Sequence, residues 1–401
     1  MTLTRTAPAW PGLEPVPAGP RAALAAAIAR RLFVAGTRRL GITWSDDGVP
    51  ADITLHRPEE FFARVGSHGL IGFGESYLTG AWDADDLGGT LTVLCREVAH
   101  LVPRWMQRLR PTYVIRPPRH QRSSTANSRG NIAHHYDLSN ELFATFLDPT
   151  LTYSAALFEG TEDLEQAQVR KIERILDAAV VGPGTRLLEI GTGWGELAIR
   201  AARRGADVRS ITLSSEQRSL ALERIAAAGL ADRITVDLLD YRALDGSYDA
   251  VVSVEMIEAV GHEYWPAYFR TLDRVLAPGG RVALQAITMP HRRMLATRNT
   301  YTWINKYIFP GGFLPSTEAI EQTARRHTTL RLGERFSFGP HYAETLRRWD
   351  QRFAAAREHV LDLGFDETFL RMWHFYLEYA RAGFASGYLD VQQLVLTREE
   401  R

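Results

Sequence analysis

The sequence predicts an α/β protein: a seven-stranded, doubly wound, Rossmann-like sheet with a helical insertion, preceded by a smaller N-terminal domain. Two observations carry this. From about residue 161 onward, short apolar runs alternate with amphipathic segments of helical period, the β-α-β-α pattern of a parallel sheet covered on both faces. Within that region, Leu187-Leu-Glu-Ile-Gly-Thr-Gly-Trp-Gly195 runs from an apolar strand through an acid into three alternate glycines, and a helical pattern follows. The length of 401 residues and the 45% hydrophobic content leave room for two or three domains with ordinary cores.

Taken in order, residues 1–20 hold Pro8, Pro11, Pro15, Pro17 and Pro20 with no apolar run before them, and read as a disordered leader rather than a signal peptide. Residues 21–103 form the N-terminal domain. It opens with an amphipathic helix from Ala22 to Phe33 and continues with mixed short signals punctuated by Gly66, Gly69, Gly72, Gly74 and Gly80. Residues 104–129 are basic and Pro-containing (Arg104, Arg108, Arg110, Arg116, Arg119, Arg122, Arg129) and read as a linker. Such a segment is either a solvated connection or a patch for anionic lipid headgroups, where each basic residue contributes about 1 kcal/mol. The second domain fills 130–401. A helix is expected over 161–180, strands at 186–191, 207–213, 233–239, 248–254 and 280–287, and helices between them at 194–204, 215–228 and 264–276. An aromatic, helical insertion at about 289–327 interrupts the pattern. A strand at 329–338, helices at 341–362 and 366–382 and a strand at 388–397 complete the domain.

Composition excludes several functions. The formal net charge is zero, so no global field favours nucleic acid. Cys95 is the single cysteine, which rules out an intrachain disulfide, and no Cys/His metal spacing exists. A cytoplasmic location is the expectation. No apolar run approaches the roughly 18 residues of a membrane-spanning helix. The basic side chains are almost all arginine, with Lys171 and Lys306 as the only lysines.

The glycine loop points to a ligand. Gly191, Gly193 and Gly195 let backbone pass where a side chain would clash. Glu189 sits where a carboxylate can meet the positive amine and sulfonium of S-adenosylmethionine. A dinucleotide loop is spaced G-x-G-x-x-G with pyrophosphate at the helix N-terminus. Here the spacing is G-x-G-x-G, and Glu196 adds negative charge where a pyrophosphate would lie. Ligands of open α/β sheets bind beyond the carboxyl ends of the strands. Those ends carry Glu189 to Gly195, Thr212 to Gln217, Asp240 with Tyr241, Glu255 to Glu258, and Gln285 to Ile287.

Several segments together resemble the cyclopropane-fatty-acyl-phospholipid synthase family, which includes the mycolic acid cyclopropane synthases and fatty-acyl methyltransferases. They are His134-His-Tyr-Asp-Leu-Ser-Asn140, Leu147-Asp-Pro-Thr-Leu-Thr-Tyr-Ser154, the glycine loop, Ile211-Thr-Leu-Ser-Ser-Glu-Gln217 and Ser253-Val-Glu-Met-Ile-Glu-Ala-Val-Gly261. Trp303-Ile-Asn-Lys-Tyr-Ile-Phe-Pro310, Phe338-Gly-Pro-His-Tyr342 and Gly72-Phe-Gly-Glu-Ser-Tyr77 with Gly80 and Trp82 extend the likeness from about residue 50 to the C-terminus.

The resemblance implies methyl transfer from S-adenosylmethionine to the cis double bond of an unsaturated phospholipid acyl chain, giving a cyclopropane or a methylene- or methyl-branched product. It implies cofactor roles for Tyr136, Tyr153, Ser154, Glu189, Gly191, Thr192, Gly193, Trp194, Gly195, Thr212, Gln217, Asp240 and Tyr241. Gln217 is expected at the ribose hydroxyls, although Ser214-x-x-Gln217 is also a helix capping box. Asp240 is expected at the adenine amine and Tyr241 at its ring.

Cyclopropane-forming members hold a bicarbonate base through a cysteine, a glutamate, a histidine, an isoleucine main chain and a tyrosine. The corresponding positions here are Ala155, Glu258, Gln285, Ile287 and Tyr342, and a second family cysteine falls at Ala380. Thiol catalysis is therefore excluded. The base is either bicarbonate or a protein carboxylate, with Glu141, Glu255 and Glu258 as candidates. Tyr301, Trp303, Tyr307, Phe309 and Phe313 are expected along an acyl channel. The implied setting is the inner membrane surface, met peripherally through the front domain and linker. A dimer is compatible with the sequence, and no nucleic acid is expected. Two other functions stay open at this level: a soluble-substrate N- or O-methyltransferase on the same sheet, and a non-catalytic lipid-binding relative.

Overall fold

A computed structural model describes residues 10, 13, 15–97, 118, 139–160 and 163–399. Most of the expected leader, all of the basic linker except residue 118, and the His134–Leu138 part of the first motif with Tyr136 lie outside them. The chain divides into two compact units: Met1–Ile115 with Tyr301–Ile308 and Leu346–Tyr388, and Arg116–Thr300 with Phe309–Thr345 and Leu389–Arg401. The front unit thus recruits two later segments, where sequence alone places it within 21–103.

In the front unit, α1 (Pro20–Leu40), α2 (Pro58–His68), α3 (Leu70–Leu78) and α4 (Leu87–Arg96) accompany a small sheet of β1 (Trp44–Ser45), β2 (Ile53–Leu55) and β3 (Trp82–Asp83). Local chemistry sets the boundaries. Proline occupies the first turn of α1 and α2, where its missing N–H costs nothing. Asp86 caps α4 by accepting from Gly89 N–H at 2.8 Å. Phe33, Phe61, Phe62, Phe73 and Trp82 make a chain of ring contacts at its centre.

The recruited segments answer a steric and an electrostatic need. A Cβ on Gly74 would lie 2.5 Å from the Trp303 ring, so the glycine makes room for that indole. Trp303 packs at 4.7 Å on Phe375 and is 2% exposed. Beside it the fully buried Glu75 carboxylate pairs with Lys306, accepts from Tyr307 Oη at 3.0 Å and meets His68. These donors hold its carboxyl below the usual range against the opposing effect of burial. Trp303 and Tyr307, expected in an acyl channel, are therefore packing and ion-pair residues of the front unit.

The second unit carries β4 (Arg186–Ile190), β5 (Asp207–Thr212), β6 (Ile234–Leu238), β7 (Tyr248–Val254), β8 (Leu276–Thr288), β9 (Leu330–Ser337) and β10 (Asp390–Arg398). They form one seven-stranded sheet in the order β6-β5-β4-β7-β8-β10-β9. The β4–β5, β5–β6, β4–β7 and β7–β8 pairs are parallel. β10 runs antiparallel between β8 and β9, a departure from an all-parallel reading. The helices α5 (Asn140–Phe146), α6 (Leu164–Ala178), α7 (Glu196–Arg203), α8 (Ser215–Ala227), α9 (Trp265–Val275) and α10 (Thr317–His327) belong to the same unit. Two buried clusters form its core, one around Leu187, Val208, Ala250 and Ile175, the other around Leu188, Val251, Leu284 and Phe269. The alternation of Leu187 and Leu188 between them is the two-residue period of a strand buried on both faces.

The chain builds outward from β4 to β6 and then returns to lay β7 against the other side of β4. Such a switch point opens a crevice between the loops leaving β4 and β7. No helix among the described residues is long and apolar enough to cross a membrane.

The Glu75 pair generates a stability prediction. Lys306→Met leaves a buried carboxylate short of its cation and is expected to cost about 3 kcal/mol. Adding Glu75→Gln to it should restore most of that loss, as read from urea midpoints.

Candidate active site

The crevice at the switch point is a cavity whose wall is the loop after β4. Gly191, Gly193 and Gly195 all adopt positive φ, at 103°, 52° and 89°. A Cβ on Gly193 would meet no protein atom within 4 Å, so that position faces space a ligand can fill. Tyr153, Ser154, Glu189, Thr192, Trp194, Thr212, Gln217 and Tyr241 line the same cavity, together with Lys171 and Glu255. Most of the sequence-predicted cofactor residues are thus brought to one place.

Each is held by its own element. Ser210 on β5 donates to Glu189 Oε2 at 2.5 Å and shares a 2.7 Å hydrogen bond with Thr192. Glu189 is 3% exposed, and burial pushes its carboxyl up to about 8 against the pull of Ser210 and Lys171. Trp194 Nε1 donates to Asn140 Oδ1 at 2.8 Å, which ties the glycine loop to the start of α5. Arg224 on α8 donates to the carbonyls of Thr150 and Trp194 and so ties the loop before Tyr153 to the glycine loop.

The capping reading of Gln217 holds in its backbone half. Its N–H donates to Ser214 Oγ as a cap, and its Oε1 accepts from Thr212 Oγ1 at 3.0 Å. The side chain lines the cavity with its amide donors left for a ligand. Tyr241 is buried against Tyr268 at 5.3 Å.

Two expected site residues are engaged elsewhere in the structure. Asp240 is not part of the cavity wall. Both its oxygens accept from the Arg242 guanidinium and one also caps the following turn, because an arginine two residues on satisfies the carboxylate locally. Glu141 is exposed in the first turn of α5, where a carboxylate stabilises the helix N-terminus, and the structure does not bring it to the other acids. Glu196 is bound by Arg200 and Arg224, so its negative charge is largely neutralised. The exclusion of a dinucleotide then rests on the glycine spacing.

The second cluster lies beside the cofactor cavity. Glu255 has φ of 50°, a strained conformation for a residue with a side chain, immediately after β7. Its Oε1 accepts from Ala155 N–H at 2.9 Å and Gln285 Nε2 at 2.8 Å, and its Oε2 from Tyr342 Oη at 2.7 Å. Glu258 Oε1 accepts from Ile287 N–H at 2.5 Å, whereas its Oε2 is buried without a hydrogen-bond partner among the described residues. Burial, reinforced by the Glu255 charge, pushes the Glu258 carboxyl up to about 8. Phe313 places its N–H on the Glu258 carbonyl at 2.8 Å, and its ring stacks on Trp265 at 5.8 Å.

The residues fit S-adenosylmethionine: an open glycine cradle, a buried acid for an amine, and amide donors and an aromatic ring at the adjoining strand ends. They do not fit the bicarbonate set. The donors that would hold the ion are engaged, Ile287 N–H with Glu258, and Tyr342 and Gln285 with Glu255. Ala155 offers a methyl group where that set has a thiol.

Sequence reasoning missed Lys171, Ser210 and Arg224. Lys171 had one signal, the rarity of lysine in this chain.

Comparison with known proteins agrees with this geometry. The family model described as mycolic acid cyclopropane synthetase matches residues 123–394. The tuberculostearic acid methyltransferase UfaA1 of Mycobacterium tuberculosis is 54% identical over 97% of this chain and 95% of its own length. The cyclopropane-fatty-acyl-phospholipid synthase of Escherichia coli is 36% identical over 87% of this chain and 88% of its own. Among solved structures, the mycolic acid cyclopropane synthase CmaA1 complexed with SAH and CTAB matches with a TM-score of 0.62 and 32% identity, covering 67% of this chain and 97% of that one.

The raised Glu258 carboxyl has a consequence for stability. The folded chain holds this proton up to about pH 8, whereas the unfolded chain releases it near 4.5. Between these values the folded state binds more protons, so stability falls as pH rises. Glu258→Gln removes that cost. The variant should gain on the wild type on the order of 4 kcal/mol at pH 8 and little at pH 4, as urea denaturation at both pH values would measure.

Proposed function

Because the chain belongs to the mycolic acid cyclopropane synthetase family, we propose that it methylates the cis double bond of an unsaturated phospholipid acyl chain, with a methylene- or methyl-branched product. That it is an S-adenosylmethionine-dependent C-methyltransferase acting on lipid follows from the family. The double bond, the phospholipid carrier and the branched product are the proposal.

The single observation that carries the branched reading is the unpartnered, buried Glu258 Oε2 beside an engaged bicarbonate set. S-adenosylmethionine, when bound, supplies an electrophilic methyl group. The residues of this chain then have three tasks. The glycine loop, Glu189 and Gln217 orient the donor, which lowers the entropic part of the barrier. The apolar surroundings exclude water from a cationic lipid intermediate. Glu258 Oε2 is the free acceptor for the proton that leaves. Glu255, with three donors on its two oxygens, is the poorer base and the better anchor. A positive charge nearby favours the ionised form of Glu258, so donor binding itself prepares the base. A relative named for methyl transfer, alike over nearly its whole length, supports the same product class.

Two experiments test this. Fatty acids from a host expressing the chain and fed labelled methionine should gain one methylene unit, and fragmentation should show a branch; a cyclopropane as the sole product overturns the branched reading. Glu258→Gln should lower turnover by about 10²–10⁴-fold. In the wild type kcat/KM should rise with pH through about 8, and the limb in kcat should lie lower, because the bound donor favours the carboxylate.

A bilayer substrate also requires peripheral docking, and the front unit carries the features for it. Leu24 and Ile28 are exposed on α1 beside Arg21 and Arg31, with Leu70 exposed at the start of α3. Flotation with anionic vesicles at low salt should carry the protein, and Leu24→Glu with Ile28→Glu should release it.

A further inference from the structure

Lys171 stands apart from the groups assigned so far. It lies on α6, is 1% exposed and lines the cofactor cavity. In a chain with 47 basic residues it is one of two lysines, so an ammonium stands here where a guanidinium is the rule. The two are not interchangeable: a guanidinium is a broad planar fork, an ammonium a compact point charge with three donors.

Among the described residues Lys171 Nζ makes one hydrogen bond, to Ser154 Oγ at 2.6 Å, and no ion pair. A buried ammonium with donors unused is costly unless something arrives to take them. The same bond orients Ser154. Its Oγ accepts from Lys171, so its own hydroxyl hydrogen turns elsewhere, and Ser154 is also buried and lines the cavity. The two residues together present unspent donors to one end of the space. Among the described residues Lys171 is also the sole cationic side chain on the wall, which otherwise carries Glu189, Glu196 and Glu255.

The donor molecule has one anionic group, the α-carboxylate of its methionine part, and two cationic ones, the amine and the sulfonium. A wall with several acids and one base sorts them. We propose that Lys171 Nζ and the Ser154 hydroxyl form the seat for the α-carboxylate of S-adenosylmethionine, while Glu189 takes the amine. This rests on the cofactor assignment and adds the residues that fix its amino-acid end. Burial pushes the Lys171 ammonium down to about 8, with Glu255, Asp148 and Glu189 opposing. An arriving carboxylate restores the charged form.

The test is calorimetric and needs no turnover. S-adenosylhomocysteine and its decarboxylated analogue, which keeps the amine and the nucleoside, are titrated into the wild type, Lys171→Met and Ser154→Ala. The proposal expects Lys171→Met to lose about 10- to 100-fold in affinity for S-adenosylhomocysteine, Ser154→Ala to lose less, and both to bind the decarboxylated analogue as the wild type does. Equal losses for the two ligands would make Lys171 a structural counter-ion and overturn the seat, as would no loss for either. Should neither ligand bind the wild type, the cofactor assignment itself fails. If Lys171→Met does not fold, the wild type still decides: its preference for S-adenosylhomocysteine over the analogue should fall as pH rises above 8, and a constant preference overturns the proposal.

Discussion

The arrangement at the end of the sheet turns on the cost of burying charge. Glu189, Glu255 and Glu258 are drawn into one low-dielectric region with Lys171 close by, and burial raises all three carboxyls while lowering the ammonium. Left unpartnered, such groups destabilise the fold. Each is instead partnered to a different degree. Glu255 is saturated by three donors, Glu189 is half satisfied by Ser210, and Glu258 keeps one oxygen bare. On the proposed reading, that gradation lets three chemically identical side chains serve as anchor, amine acceptor and base.

Sheet topology is what makes the cluster possible. The return of the chain from β6 to β7 sets the ends of β4 and β7 side by side, so that the glycine loop and Glu255 face one crevice. The left-handed backbone at Glu255 turns the chain sharply after β7 and into the short helix Ile257–Val260, which begins one residue before Glu258. Strain of this kind persists only where surrounding contacts over-determine it. Here the N–H of Glu255 is fixed to the Gln285 carbonyl at 2.7 Å, and its carboxylate to three other donors.

What the sequence disclosed and what it hid follow from the range of the interactions. The glycine loop was legible because its conformation is local: three glycines demand positive φ wherever they fold. Strand positions were legible because burial on both faces writes a continuous apolar run. Asp240 misled because its partner is also local, an arginine two residues away that no periodicity reveals. Glu141 misled because an acid near a motif and an acid facing a site look the same in one dimension. Lys171 was hidden for the converse reason. On α6 its spacing from Leu164, Gln168 and Ile175 sets it on the buried face, and only its charge argued for solvent. The aromatic segment after residue 300 reads as one channel, yet Trp303 and Tyr307 answer a glycine and a buried acid more than two hundred residues earlier, while Phe313 stacks beside Trp265.

The two substitutions at the bicarbonate positions make physical sense together. A histidine at 285 would offer a titratable ring beside an anion; glutamine offers a neutral amide that donates to Glu255 and, through its oxygen, accepts from Gln393. A cysteine at 155 would fill space with a polarizable thiol; alanine leaves only the main-chain N–H, which also goes to Glu255. Both changes withdraw ligands from an external ion and spend them on an internal carboxylate. On the proposed reading, a site so altered still needs a base of its own, since the proton released after methyl transfer requires an acceptor where water is excluded. Glu258, held by a single N–H and otherwise bare, is the group left to receive it. A fixed side chain reaches fewer positions on the reacting chain than an exchangeable ion does. Ring and methylene branch shed their proton from the same new methyl carbon, the branch only after a hydride shift along the chain, so a base fixed where it cannot meet that proton before the shift favours the branch.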